Sequence, residues 1–330
     1  MTDWKIFTGT RTPHTRISAL PDPPPWRDFQ GGPVLPLPAR TPANLHQATT
    51  YRPTADAIDQ VNAALYLRRP LLVTGPPGSG KSTLADAIAY ELGLGPVLHW
   101  PITSRVTLRD GLYQYDPLTR LYAASRTGES DDDIGGYIRL GPLGTALLPY
   151  EHPRVLLIDE IDKSDIDLPN DLLTIFEKGE FEIVELARRA ERTAEIMTAD
   201  GTDRVTVTAG RVQARAFPLV VMTSNGEREF PPAFLRRCIT LQLRQPEDEG
   251  ELAAIVREHL RDLTAEQAGL VDRLVAQFFS RKRLGELATD QLLNAVYLCH
   301  HAALAGVTSL DDLAERVMPL LTARPGHDGD

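Results

Sequence analysis

GPPGSGKS, residues 75–82, follows the apolar run Leu71-Leu72-Val73 and precedes a helix-like stretch from Leu84 to Leu92. The pattern is G-x-x-x-x-G-K-[ST] in the order strand, glycine loop, helix, an arrangement that cradles polyphosphates. Gly75, Gly78 and Gly80 let the backbone curl until successive N–H groups point inward at phosphate oxygens. Lys81 adds a point charge at the β- and γ-phosphates, and the Ser82 hydroxyl is placed to ligate Mg²⁺. The N-terminus of the following helix adds about half a positive charge. The stretch therefore implies a nucleoside triphosphate with Mg²⁺, contacted by Gly75, Pro76, Pro77, Gly78, Ser79, Gly80, Lys81, Ser82 and Thr83.

Residues 155–162 read VLLIDEID. The four apolar residues predict a fully buried parallel strand. Asp159 follows at its carboxyl end, where ligands sit in open α/β sheets, and is the second metal and nucleotide residue. Glu160 comes next and projects to a different side on an alternating strand end, so one carboxylate serves the metal and the other a water. Glu160 is the candidate general base. The alternative is that both acids merely open the next helix. A further strand, Phe217 to Met222, ends in Thr223-Ser224-Asn225. Asn225 there either orients the water with Glu160 or serves as a turn residue.

Taken together, GPPGSGKS, LLIDEID and the strand ending in Asn225 resemble the AAA+ ATPases. YIRLGPLGTALLP (137–149), KSDIDLPNDLLTIFEKGEFEI (163–183) and NGEREFPPAFLRRC (225–238) resemble the MoxR clade and its dynein-related neighbours. The resemblance spans roughly residues 50–300. It implies an α/β P-loop fold with a parallel five-stranded sheet flanked by helices, plus a small all-α lid. It also implies a homo-oligomeric ring, usually a hexamer, and an ATP-driven chaperone that remodels a partner, often one with a von Willebrand A domain. By the same resemblance Arg237, with Arg236 in reserve, reaches the γ-phosphate held by the adjacent subunit. Otherwise Arg237 is a surface residue paired with Glu229 or Asp248. One departure stands out: residues 288–294 read ATDQLLN, so Asp290 occupies a place where related lids carry an arginine. Arg281 or Arg283 then has to supply that charge, or the role is lost.

The chain of 330 residues carries 35 Lys and Arg against 45 Asp and Glu, a formal charge of −10. This balance disfavours a nucleic-acid motor or an anionic membrane partner. Two cysteines, Cys238 and Cys299, read as core thiols of a reducing compartment. No apolar run approaches a membrane span and MTDWKIFTGTRTPH lacks a signal-like apolar region, so a cytoplasmic location is expected.

The expected organisation is a proline-rich arm (1–50), an α/β core (51–245), a helical lid (246–322) and a tail (323–330). Nine prolines mark the arm, and Trp4, Ile6, Trp26 and Phe29 are its expected anchors on its own core or a neighbour. Strands are expected at 70–74, 97–102, 154–159, 217–223 and 239–243, with a helix over 54–67. An insert occupies 103–153, a charged helix runs from Glu185 to Met197, and a hairpin spans 204–217. Besides the chaperone, a nucleotide-gated scaffold that hydrolyses slowly fits the same residues.

Overall fold

The computed structural model describes residues 4–38, 44–127, 133–201, 204–246, 248–259, 265–282, 287, 289–304 and 310–319. Arg283 and the tail lie outside them. The described chain forms two compact units, Met1–Thr74 with Ser82–Gln242 and Gly75–Lys81 with Leu243–Asp330.

The first unit begins with α1 (Leu45–Thr50), α2 (Ala55–Leu67), β1 (Leu71–Thr74) and α3 (Lys81–Glu91), whose first residue belongs to the other unit. It continues through β2 (Leu98–Pro101), α4 (Leu108–Leu112), β3 (Tyr113–Tyr115), α5 (Pro117–Thr127), β4 (Ile138–Leu140), α6 (Pro142–Ala146) and β5 (Val155–Asp159). Next come α7 (Leu168–Lys178), β6 (Glu180–Glu182), α8 (Val184–Ala187), β7 (Thr193–Met197), β8 (Arg204–Thr208) and β9 (Arg211–Gln213). β10 (Leu219–Ser224), α9 (Pro232–Leu235) and β11 (Ile239–Gln242) complete it.

Five strands make a parallel sheet in the order β11-β1-β10-β5-β2. Leu71 pairs with Val221 and Ile239, Leu219 with Val155, and Leu98 with Leu156. β10 is buried along its whole length and β5 along all but Asp159, as central parallel strands covered on both faces must be. The fold class is the one the sequence implies. Parallel pairing puts the carboxyl ends of β1, β5 and β10 at one edge, which is where the polar residues Asp159 and Thr223 fall.

A second sheet was not foreseen. Its six short strands run β3-β4-β7-β8-β9-β6 and draw on both the 103–153 insert and the 180–213 region. The expected helix from Glu185 to Met197 is corrected here: only Val184–Ala187 is α-helical, and Thr193–Met197 is a strand. Five residue pairs from Thr193↔Thr208 to Met197↔Arg204 tie β7 to β8, and Ile196 and Val207 enter the core. Tertiary pairing thus overrides the helix-forming tendency of a charged stretch. Within the expected hairpin span 204–217, β8 and β9 are antiparallel about Ala209-Gly210 and pair at Thr208↔Arg211, and β8 has its longer pairing with β7.

The arm packs on the first unit. Asn62, wholly buried on α2, accepts from the backbone N–H groups of Ile6 (2.7 Å) and Phe7 (3.0 Å) and donates to Phe7 O (2.7 Å). Glu91, buried at the end of α3, accepts from the backbone N–H groups of Thr8 (2.7 Å), Gly9 (3.0 Å) and Arg11 (3.1 Å). Farther along, Phe29 packs on Phe217, and the Arg27 guanidinium donates to Phe176 O. Trp26 is not an anchor: it is 74% exposed, and Arg27 goes inward in its place. Trp4 is also largely exposed, with its ring edge against Tyr66.

The second unit contains α10 (Glu249–His259), α11 (Ala265–Lys282), α12 (Thr289–Leu304) and α13 (Leu310–Val317). Leu252, Val256, Leu274, Phe278, Leu292 and Val296 are among its core residues. The glycine loop is tied into this unit, because Gln245 Nε2 donates to both Pro77 O (3.0 Å) and Leu287 O (2.9 Å). Cys238 and Cys299 are buried thiols outside any disulfide, and burial pushes the Cys238 thiol up to about 12. No helix among the described residues is long and apolar enough to cross a membrane.

Candidate active site

The loop between β1 and α3 turns through Gly78 (φ 72°) and Gly80 (φ 83°), a left-handed backbone that a side chain would oppose. The Lys81 ammonium donates to Gly75 O and Pro76 O, both at 2.8 Å. These carbonyls hold the cation at the loop. Thr83 stands one turn position further on, partly buried in α3.

Ser82 Oγ donates to Asp159 Oδ1 at 2.8 Å. The same carboxylate oxygen accepts from Thr223 Oγ1 at 2.6 Å, and Asp159 Oδ2 lies 3.3 Å from His99 Nε2. Burial alone pushes the Asp159 carboxyl upward, but the hydrogen bonds from His99, Thr223 and Ser82 outweigh it and bring it down to about 2. Asp159 is therefore ionised at any physiological pH. The hydrogen bond to Asp159 raises the His99 imidazole in turn.

Glu160 leaves the strand in a left-handed conformation (φ 59°, ψ 49°) instead of continuing the alternation. Its N–H donates to Thr223 Oγ1 at 2.9 Å, which fixes the turn. Its carboxylate accepts from Asn225 Nδ2 at 3.3 Å and from Lys163 Nζ at 2.8 Å. Both members of the lysine pair are about two-fifths exposed, so the pair orients Glu160 more than it stabilises the fold. Ser82, Asp159, Glu160 and Asn225 thus form one hydrogen-bonded group joined through Thr223.

Arg237 and Arg236 lie outside that group. Arg237 pairs with Glu177, not with Glu229 or Asp248, and also donates to Ala233 O at 3.1 Å. Arg236 is exposed, and its carbonyl accepts from Arg69 at 3.3 Å. In the second unit Asp290 is exposed in the first turn of α12, where an acid suits the helix dipole. Arg281 there faces Glu315 at 3.5 Å.

Sequence reading missed His99, Asp162 and Lys163 as members of this neighbourhood. His99 had a weak signal: it alternates with buried Leu98 and Trp100 on β2, so it faces the other way. Lys163 is brought back to Glu160 by the short 3₁₀ turn Ile161–Lys163, which periodicity does not reveal.

A parallel sheet with a glycine loop after β1 and an ionised aspartate at the end of β5 defines a P-loop nucleotide-binding core. The AAA domain of the dynein-related subfamily matches residues 70–238, and the chain belongs to that family. No curated protein matches the chain. Among solved structures, NtrX from Brucella abortus in complex with ATP is 14% identical with a TM-score of 0.41, covering 84% of this chain and 56% of that one. The Holliday junction branch migration motor RuvB of Thermotoga maritima is 16% identical with a TM-score of 0.39, covering 76% of this chain and 60% of that one. The chain spans less than two thirds of the length of either.

Proposed function

We propose that the protein is a Mg²⁺-dependent ATPase of the MoxR type that acts as a homo-oligomeric ring, a hexamer, and spends hydrolysis on remodelling a protein partner. The observation that carries this reading is the single hydrogen-bonded group of Ser82, Asp159, Glu160 and Asn225 at the carboxyl edge of the sheet. The domain division proposed is an arm over 1–50, a core over 51–245 with its insert at 103–153, a lid over 246–322 and a tail. A cytoplasmic location belongs to the same reading.

The donor set fits magnesium. A hydroxyl and an ionised carboxylate are hard oxygen ligands, and the 2.8 Å between Ser82 Oγ and Asp159 Oδ1 puts both on one position. Ser82 and Asp159 would hold the ion there, and it would supply positive charge to offset that of the phosphates. Residues 75–83 hold the phosphates, Lys81 by exchanging its loop carbonyls for phosphate oxygens. Glu160 takes the proton of the attacking water, and Asn225 holds that carboxylate in place. Arg237, or Arg236 in reserve, completes the site of a neighbouring subunit.

A partner of protein character, one with a von Willebrand A domain by resemblance, is supported by α5. Leu118, Leu121 and Tyr122 lie at helical spacing there and are each about two-thirds exposed. The slower scaffold reading is favoured by one observation, the exposed acid Asp290 at the start of α12. Partner-stimulated turnover tests the choice: a remodeller speeds up with its partner, and a scaffold does not.

A further inference from the structure

We infer that Asp162 is a positioning residue for hydrolysis, acting through the turn that carries Asn225; this rests on the reading of Glu160 and Asn225 as hydrolytic residues. Asp162 sits in the 3₁₀ turn directly after Glu160 and is 5% exposed. Its Oδ2 accepts two backbone N–H groups, from Asn225 at 2.9 Å and from Glu227 at 3.1 Å. Between them Gly226 takes φ 81° and donates its N–H to Ser224 Oγ at 3.0 Å. One carboxylate oxygen therefore clamps the whole turn at the end of β10. Charge-assisted bonds of this kind are stronger than neutral ones.

The clamp has a clear geometric consequence. Glu160 and Asp162 are two residues apart on one rigid turn, closed by the Lys163 N–H bond to Glu160 O at 2.9 Å. Glu160 carries the carboxylate that receives Asn225 Nδ2, and Asp162 holds the backbone of Asn225. Asn225 is thus gripped at side chain and main chain by the same short segment, and the Glu160–Asn225 distance is set locally. Asp162 Oδ1 is buried without a hydrogen-bond partner among the described residues. A buried orphan of this kind costs stability.

The test compares Asp162→Ala, Asp162→Asn and Asp162→Glu with the full-length protein, with and without Asn225→Ala. The alanine variant is expected to lose kcat by about 10- to 100-fold with KM for ATP within about threefold. Asparagine keeps an acceptor oxygen and restores kcat to within about threefold. In the Asn225→Ala background, Asp162→Ala costs nothing further, because it acts through that residue. Amide hydrogen exchange of the nucleotide-free protein reads the clamp directly: Asn225 and Glu227 exchange faster in the alanine variant. If that variant does not fold, Asp162→Glu displaces the acceptor by one methylene and is expected to lower kcat in the same way. Wild-type kcat in the folded alanine or glutamate variant, or full losses that multiply with Asn225→Ala, overturns the inference. Wild-type hydrolysis by Glu160→Gln instead overturns the underlying reading of the site, while the amide exchange still reports the clamp.

Discussion

The Thr223 hydroxyl donates to Asp159 Oδ1 at 2.6 Å, across the pairing of β10 with β5. Because the same hydroxyl accepts the Glu160 N–H, one side chain orients both the carboxylate proposed to meet the metal and the turn that presents the proposed base. Thr223→Val keeps the shape and removes both bonds. Its kcat is expected to fall about tenfold, and its stability by about 1 kcal/mol for the lost bonds. Steady-state kinetics and urea unfolding check the two parts separately.

Lys81→Ala leaves the loop without its cation. ATP affinity is expected to fall at least about tenfold, since a charged donor to phosphate is removed. Calorimetric or fluorescent-nucleotide titration measures it, and unchanged affinity contradicts the loop's assigned role.

Arg237 is held by Glu177 within its own subunit, so reaching a neighbour's nucleotide requires breaking that pair. If Arg237 completes a neighbour's site in the proposed ring, Arg237→Ala is expected to lower its turnover by about a thousandfold. Glu177→Gln frees the arginine without removing it and should keep at least wild-type turnover. Equal rates for Arg237→Ala and wild type across protein concentration remove the shared site.

Asp200 contributes to the pH dependence of stability. Burial pushes its carboxyl up, but the charge and hydrogen bond of fully buried Arg154, 2.7 Å away, prevail and hold it below the usual range. A depressed folded value means that the stabilisation is complete above the unfolded value of about 3.9 and is lost as pH falls through the folded one. Asp200→Asn removes the counter-charge of a guanidinium that keeps, among the described residues, only neutral partners such as Pro96 O at 2.9 Å, and is expected to cost about 3 kcal/mol at pH 7. Urea melts at pH 7 and pH 3 check this: the gap between wild type and variant should narrow at the lower pH.

The arm is fastened at Asn62 and Glu91. Asn62→Ala removes its bonds to Ile6 and Phe7 and leaves those backbone groups buried and unpaired, at a cost of about 2 kcal/mol. Limited proteolysis should then cut within residues 4–20 at concentrations that spare the wild type.

The sheet and the glycine loop were legible because central parallel strands leave a plain mark. Leu71-Leu72-Val73 and Val155 to Ile158 are continuous apolar runs, and each ends where polar chemistry begins. The second sheet left almost none. Thr193–Met197 alternates weakly, carries a glutamate, and is a strand only because β8 lies beside it. The arm's prolines foretell extended chain but not its anchors, which lie about 55 and 80 residues away on α2 and α3. Asp162 was quoted within VLLIDEID yet gave no signal, because its partners are backbone N–H groups more than 60 positions later.

The most direct measurement is ATP hydrolysis by wild type and Glu160→Gln at matched, saturating Mg²⁺-ATP, with binding measured in parallel. The expected result is ATP bound with near wild-type affinity and hydrolysis slowed at least about 100-fold. A Glu160→Gln protein that turns ATP over at the wild-type rate would contradict the role given to this carboxylate and, with it, the hydrolytic site.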